Sequence, residues 1–123
     1  MEQREFIAVV DDDESVRESL PDLLREFGYE AEAFASAEDF LASDRLPQAV
    51  CLILDIAMPG MSGLDLQEEL IRRRHRLPLV FITAHGDEAL RVRLRERGAI
   101  ECLLKPFSDT ALLQALNTAL QRN

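Results

Sequence analysis

Five short apolar runs, separated by longer stretches with helical periodicity, constrain this chain more than any other feature. The runs are Phe6–Val10, a weaker one around Glu30–Phe34, Val50–Leu54, Leu79–Thr83 and Ile100–Leu104. Three of them are almost continuously apolar, as strands covered on both faces must be. The run around Glu30–Phe34 carries charge and fits an edge strand. Between the runs, Val16, Leu20, Leu23, Leu24 and Phe27 repeat on one helical face, and Gly28 follows as a helix stop. Ser36 with Asp39, and Ser62 with Asp65, have capping-box spacing. Leu66, Leu70 and Ile71 give a third helix its buried stripe, Leu90 and Leu94 mark a weaker fourth, and Leu112, Leu113, Leu116 and Leu120 a fifth. Pro21 falls inside the first helix, where it removes a hydrogen bond and should kink it.

Strict alternation of strand and helix implies a parallel sheet with helices on both faces. The expected architecture is α/β: a flavodoxin-like (βα)5 three-layer sandwich whose five-stranded parallel sheet has the order 2-1-3-4-5, favoured over half of a Rossmann fold. In such sheets ligands bind at the carboxyl ends of the strands, near the switch in strand order. The residues that end the strands are therefore the ones to inspect.

At 123 residues the chain has the size of one domain, taken as 1–123. No apolar run approaches the roughly 20 residues of a membrane span, and the N-terminus lacks the basic start of a signal peptide. A soluble, cytoplasmic domain is expected, without membrane contact. The net charge of −9 argues against nucleic-acid binding by the domain itself, because phosphate neutralisation needs a basic surface. It favours a cation or a basic partner. Cys51 and Cys102 lack CxxC spacing and sit inside apolar runs, which reads as core packing in a reducing compartment. Strands 3 and 5 lie roughly 9–10 Å apart across strand 4, too far for a disulfide.

The first strand runs into Asp11-Asp12-Asp13, the third into Asp55, the fourth ends in Thr83, and the fifth leads to Lys105-Pro106. Singly, each has an ordinary explanation: acids favour a helix N-terminus, Asp starts turns, and Thr is a common strand residue. Together, in the order 2-1-3-4-5, they form one contiguous rim. Carboxylates meeting there repel one another and raise a pKa unless a positive charge sits among them. A hard divalent cation such as Mg²⁺ meets that need, and Lys105 adds a second positive charge. The set suits phosphoryl transfer. Asp55 offers the nucleophile, Asp11 and Asp12 hold Mg²⁺, and Lys105 and the Thr83 hydroxyl each meet a phosphoryl oxygen. The product is a labile aspartyl phosphate, suited to a switch.

With Val9-Val10-Asp11-Asp12-Asp13, Leu54-Asp55, Met58-Pro59-Gly60-Met61-Ser62-Gly63, Phe81-Ile82-Thr83-Ala84-His85-Gly86 and Gly98-Ala99 leading to Lys105-Pro106-Phe107, the sequence resembles the receiver domains of bacterial response regulators. The resemblance runs from about residue 5 to 120, and Met58–Gly63 and Thr83–Gly86 resemble the branch usually fused to LuxR-type helix-turn-helix output domains. It implies a two-component phosphorelay in which a sensor histidine kinase supplies the phosphoryl group to Asp55. It also implies a metal contact from the Ala57 backbone carbonyl, movement of Thr83 toward the phosphate and a cis bond before Pro106. Phosphorylation would then switch the surface of helix 4, strand 5 and helix 5, controlling a homodimer or a fused or separate DNA-binding output domain, and so transcription.

The resemblance implies a phosphoacceptor switch and not an enzyme, with at most slow self-dephosphorylation. His85 and Ala57 would flank the route of the attacking water and tune that rate. The family's aromatic, three residues before the lysine, is Cys102 here, too small to sweep an aromatic's volume when Thr83 moves. His75, within Arg72–Arg76, reads as part of a solvated helix end.

Rival functions fit less well. A haloacid-dehalogenase phosphatase carries an acid two residues after its nucleophile, where this chain has Ala57. A flavin or nucleotide module would show a glycine-rich loop after the first strand and more aromatic stacking surface than one Tyr and no Trp provide. A receiver reduced to a binding module would not need the intact Asp11, Asp12, Asp55, Thr83 and Lys105 set.

Overall fold

A computed structural model describes residues 4–84, 88–98 and 101–121. Its elements are β1 (Phe6–Val10), α1 (Glu14–Glu26), β2 (Glu30–Phe34), α2 (Ala37–Leu41), β3 (Ala49–Asp55), α3 (Gly63–Arg72), β4 (Leu79–Thr83), α4 (Glu88–Glu96), β5 (Glu101–Leu104) and α5 (Asp109–Ala119), with a 3₁₀ turn at Leu46–Gln48. The sheet is parallel throughout and has the order β2-β1-β3-β4-β5. This is the flavodoxin-like fold expected from the alternation.

Period-two alternation explains the three layers. Ala8, Val10, Leu52, Leu54 and Phe81 face one side of the sheet, where Phe40 of α2, Leu66 and Leu70 of α3 and Leu94 of α4 cover them. Ile7, Val9, Ile53, Val80 and Ile82 face the other, under Leu20 and Leu24 of α1 and Leu112 and Leu116 of α5. Every residue of β1 and β4 is buried, which is why those runs show no polar alternation. The edge strand β2 mixes exposed and buried positions, as its charged composition predicts.

Helix starts are set by side-chain caps. Asp13, Ser36, Ser62 and Ser108 accept from backbone N–H groups at the starts of α1, α2, α3 and α5. At α3 the capping box is reciprocal, Ser62 Oγ accepting from Asp65 N–H and Asp65 Oδ2 from Ser62 N–H, both at 3.1 Å. At α2 only the serine half forms, with Ser36 Oγ accepting from Asp39 N–H at 3.1 Å. Helix α1 continues unbroken through Pro21, which is buried.

Two packing expectations change. Ile71 is 64% exposed and is not part of the α3 core stripe, which uses Leu66 and Leu70; Leu113 is likewise exposed on α5. Cys51 and Cys102 lie in core layers on opposite faces of the sheet, and neither is in a disulfide. The sheet itself separates them, beyond the spacing of their strands. The side chain of Leu90 lies outside the described set. No described helix is long and apolar enough to cross a membrane.

Candidate functional site

Parallel register brings four strand ends to one rim. Val10 pairs with Leu54, Asp55 with Ile82, and Thr83 with Leu104. Asp11, Asp55, Thr83 and Lys105 therefore emerge side by side. Asp11, Asp55 and Thr83 are buried, at 0%, 5% and 3% exposure, although burial of such groups is costly without partners. One carboxylate oxygen each from Asp11, Asp12 and Asp55 lie within 4.8 Å of one another.

Lys105 supplies the cation. Its Nζ lies 2.8 Å from Asp11 Oδ2 and 3.8 Å from Asp55 Oδ2. Its backbone N–H donates to the Thr83 carbonyl at 2.8 Å, fixing the stem of the side chain to the end of β4. The following peptide bond, Lys105–Pro106, is cis. Burial alone would lower the lysine's pKa, but the contact with Asp11 and the charges of Asp11, Asp55 and Asp13 outweigh it and raise it.

Asp55 moves the other way from a salt-bridged acid. Burial, then the charge of Asp11, push its carboxyl up to about 7, against the opposing pull of Lys105 and of the Ala57 backbone N–H. One lysine does not balance two facing carboxylates. The site has the charge deficit that a divalent cation fills, and hard oxygen donors suit Mg²⁺. Asp11 Oδ2 shows the same demand, since Lys105 is the sole counter-charge recorded for it among the described residues.

The acidic triplet divides its tasks. Asp11 Oδ1 accepts from Asp13 N–H at 2.9 Å, and Arg17 Nη1 donates to the Asp11 carbonyl at 3.1 Å. Asp13 turns away to cap α1, accepting from Ser15 N–H at 2.9 Å and Ser15 Oγ at 2.7 Å, and its pKa falls because of those Ser15 bonds. Asp12 stays exposed at the mouth. The dipole explanation thus holds for Asp13, while Asp11 and Asp12 join Asp55.

Two features escaped the sequence. Gly63 lies against the Asp55 backbone, a contact that its place in a Gly-rich motif hints at but does not specify. His75 is half-buried with Nε2 inaccessible, not solvated, because the chain turns back at the end of α3 and its N–H donates to the Leu70 carbonyl at 2.9 Å. Cys102 is 2% exposed and fills core beside Phe81, its partner on β4. His85 lies outside the described residues.

Comparison with known proteins agrees with this rim. The family model for the response regulator receiver domain matches residues 7–117. Nodulation protein W of Bradyrhizobium diazoefficiens is 45% identical over 118 residues, covering 96% of this chain and 52% of that protein. Transcriptional regulatory protein FixJ of Azorhizobium caulinodans is 38% identical over 117 residues, 95% of this chain and 56% of the relative. The solved structure of the response regulator StyR superposes with a TM-score of 0.86 at 51% identity, covering 97% of this chain and 60% of that one. The chain thus spans about half the length of the curated relatives it matches. Receiver domains of this family act as switches and bind Mg²⁺ at an acidic pocket, the counterpart of which is the Asp11, Asp12 and Asp55 cluster. The chain belongs to the response-regulator receiver domain family.

Proposed function

We propose that this domain, spanning 1–123, accepts a phosphoryl group on Asp55 from a sensor histidine kinase and holds it as a reversible signal. The observation that carries the reading is the position of Lys105 Nζ, within 2.8 Å of Asp11 and 3.8 Å of Asp55. A lysine tethered there can leave Asp11 for a phosphoryl oxygen without leaving the rim. Asp55 Oδ attacks phosphorus, the donor's imidazole leaves, and the negative charge on the phosphoryl oxygens meets Lys105 and the Thr83 hydroxyl.

Asp11, Asp12, Asp55 and the Ala57 carbonyl are the groups that would hold Mg²⁺, with waters completing its shell. Bound there, the ion neutralises carboxylate crowding and phosphoryl charge. Asp55, whose carboxyl burial and Asp11 push up to about 7, would be favoured in the ionised form that nucleophilic attack needs once such a charge sits beside it. Self-dephosphorylation is slow in this reading, tuned by His85 and Ala57.

The donor needs a landing surface beside Asp55. A cleft of about 620 Å³ runs between α1 and the Lys105–Phe107 segment, with Val16, Leu20 and Leu23 facing Pro106 and Phe107. An apolar helix face of the kinase fits it. We place the protein in the cytoplasm, where such kinases present their phosphohistidine. The relative named as a transcriptional regulatory protein supports transcription control as the output, through a fused or separate DNA-binding domain.

Incubation with acetyl phosphate and Mg²⁺, followed by intact-mass measurement, tests the reading. One phosphoryl group should add to the wild type and none to Asp55→Asn. Stoichiometric phosphorylation of the Asn variant at another residue overturns it.

A further inference from the structure

At the far end of β4 from Thr83, a second cleft opens between the C-terminal ends of α3 and α4. Its volume is about 840 Å³, within the range of small-molecule pockets. The apolar part consists of Leu70, Leu77 and Leu79. Ile71, also on the lining, is the most exposed large apolar side chain among the described residues, at 64%.

The polar part is unsatisfied. Gln67 is 3% exposed and lines the cleft; its Nε2 donates to the Arg97 carbonyl at 2.8 Å, but its Oε1 is buried with no hydrogen-bond partner among the described residues. The Arg97 carbonyl fixes the orientation of the amide, so an acceptor is what remains over. His75 Nε2, on the same lining, is also buried and has no hydrogen-bond partner among the described residues. An unmet buried acceptor is destabilising, and a donor on a ligand would recover that cost.

The rim is cationic in a domain of net charge −9. Arg72 and Arg73 share the single carboxylate of Glu69, and Arg97 pairs with Glu68. Arg74 and Arg76, which line the cleft, form no ion pair among the described residues. Arg74 also stands at φ 57°, in the left-handed region where a helix usually ends in glycine.

We propose that this cleft binds a small amphiphilic hydroxycarboxylate. Its apolar chain lies on Ile71 and Leu77, over the buried Leu70 and Leu79, its hydroxyl donates to Gln67 Oε1, and its carboxylate meets Arg74 and Arg76. The site is independent of the chemistry at Asp55.

Titration of the isotope-labelled protein with 3-hydroxyoctanoate, octanoate and 1,3-octanediol, followed by amide shifts, tests this. The hydroxy acid should saturate with shifts centred on residues 66–79 and 97–98. Octanoate, lacking the hydroxyl, and the diol, lacking the carboxylate, should each bind about tenfold more weakly. Gln67→Met should abolish the preference for the hydroxy acid over octanoate. Arg74→Gly, which frees the strained backbone position and so keeps the fold, should abolish the preference for the acid over the diol when combined with Arg76→Gln. Absence of saturation through the millimolar range, shifts centred on Asp55, or a ranking of probes unchanged in the folded Arg74→Gly, Arg76→Gln protein overturns the proposal.

Discussion

Gly63 is pressed against the chain that carries Asp55. A β-carbon on Gly63 would fall 2.5 Å from the Asp55 carbonyl oxygen and 2.9 Å from Ile56 Cα, both backbone atoms. The Gly63 N–H donates to the Ile56 carbonyl at 2.9 Å, so the start of α3 is stitched to the segment that carries Asp55. Gly63→Ala must therefore move either α3 or Asp55. It is expected to cost about 1–3 kcal/mol in denaturant unfolding and to slow modification by acetyl phosphate by about tenfold to a hundredfold. A variant with wild-type stability and rate would show that the segment yields freely.

Asp55 gives the domain a pH signature. Its carboxyl is raised from 3.8 to about 7 by burial and then by Asp11, so the folded state holds this proton more tightly than the unfolded chain. The stability it contributes is complete below a pH of about 3.8 and is lost as pH rises through about 7. Each unit is worth about 1.4 kcal/mol; with water reaching the rim, the expected loss is about 1–3 kcal/mol. Asp55→Asn lacks this titration. It should exceed the wild type in melting temperature at mildly alkaline pH, and the gap should close toward pH values of about 4. Parallel curves for the two proteins would contradict the placement of this charge.

Mg²⁺ should reverse that loss. Binding to the folded state alone stabilises by mass action, so millimolar Mg²⁺ is expected to raise the wild-type melting temperature at mildly alkaline pH. Asp12→Ala should remove most of that rise and most phosphorylation. Asp12 is exposed and caps no helix among the described residues, so the variant should keep its fold. Full phosphorylation of Asp12→Ala, or of the wild type without divalent metal, would exclude the metal reading.

Much of this was legible because the pattern is periodic. The continuous apolar runs imply the parallel sheet, and its strand order brings Asp11, Asp55, Thr83 and Lys105 to one rim. Contacts between backbones left no such trace: Gly63 against Asp55 is a matter of packing distance, not of residue type. Ile71 has the periodicity of a core residue but lies at the edge of α3's buried face, where the stripe stops being covered. His75 looked solvated because its neighbours are arginines, yet the left-handed turn at Arg74 folds it back onto α3. Two arginines at the end of α4 are tied down in a way that spacing does not reveal: Arg95 pairs with Glu101 at 3.2 Å, and Arg97, just past the helix, with Glu68 at 2.7 Å.

Cys102 bears on how a signal would leave the site. It is 2% exposed in the core layer that holds Phe81 and Leu94. Cys102→Tyr adds a ring where packing is closed, and is expected to cost about 1–3 kcal/mol. Amide exchange should quicken in α4, which covers that layer. An equally stable variant with unchanged exchange would show that the position accommodates an aromatic without moving α4.

The output surface is the final expectation. Four large apolar side chains are exposed among the described residues, and three of them, Val92, Leu104 and Leu113, lie on α4, β5 and α5. These elements adjoin, since α4 and α5 each pack on β5, and contiguous exposed apolar surface rimmed by polar groups marks interaction sites. Thr83 ends β4, and Ala84 follows it toward α4, so a hydroxyl drawn to a phosphoryl oxygen would pull on that connection. The pull can favour association only as far as the phosphorylated state binds its partner more tightly. With Cys102 in place of an aromatic, the displacement would travel through the backbone after Thr83. Beryllofluoride with Mg²⁺ is therefore expected to shift the domain toward a homodimer in sedimentation and to alter amide exchange in α4 and β5. Leu104→Glu, at a side chain 51% exposed, should weaken that dimer by about tenfold or more while leaving modification of Asp55 intact. A domain that stays monomeric under beryllofluoride, with exchange in α4 and β5 unchanged, would show that this face does not report the state of Asp55.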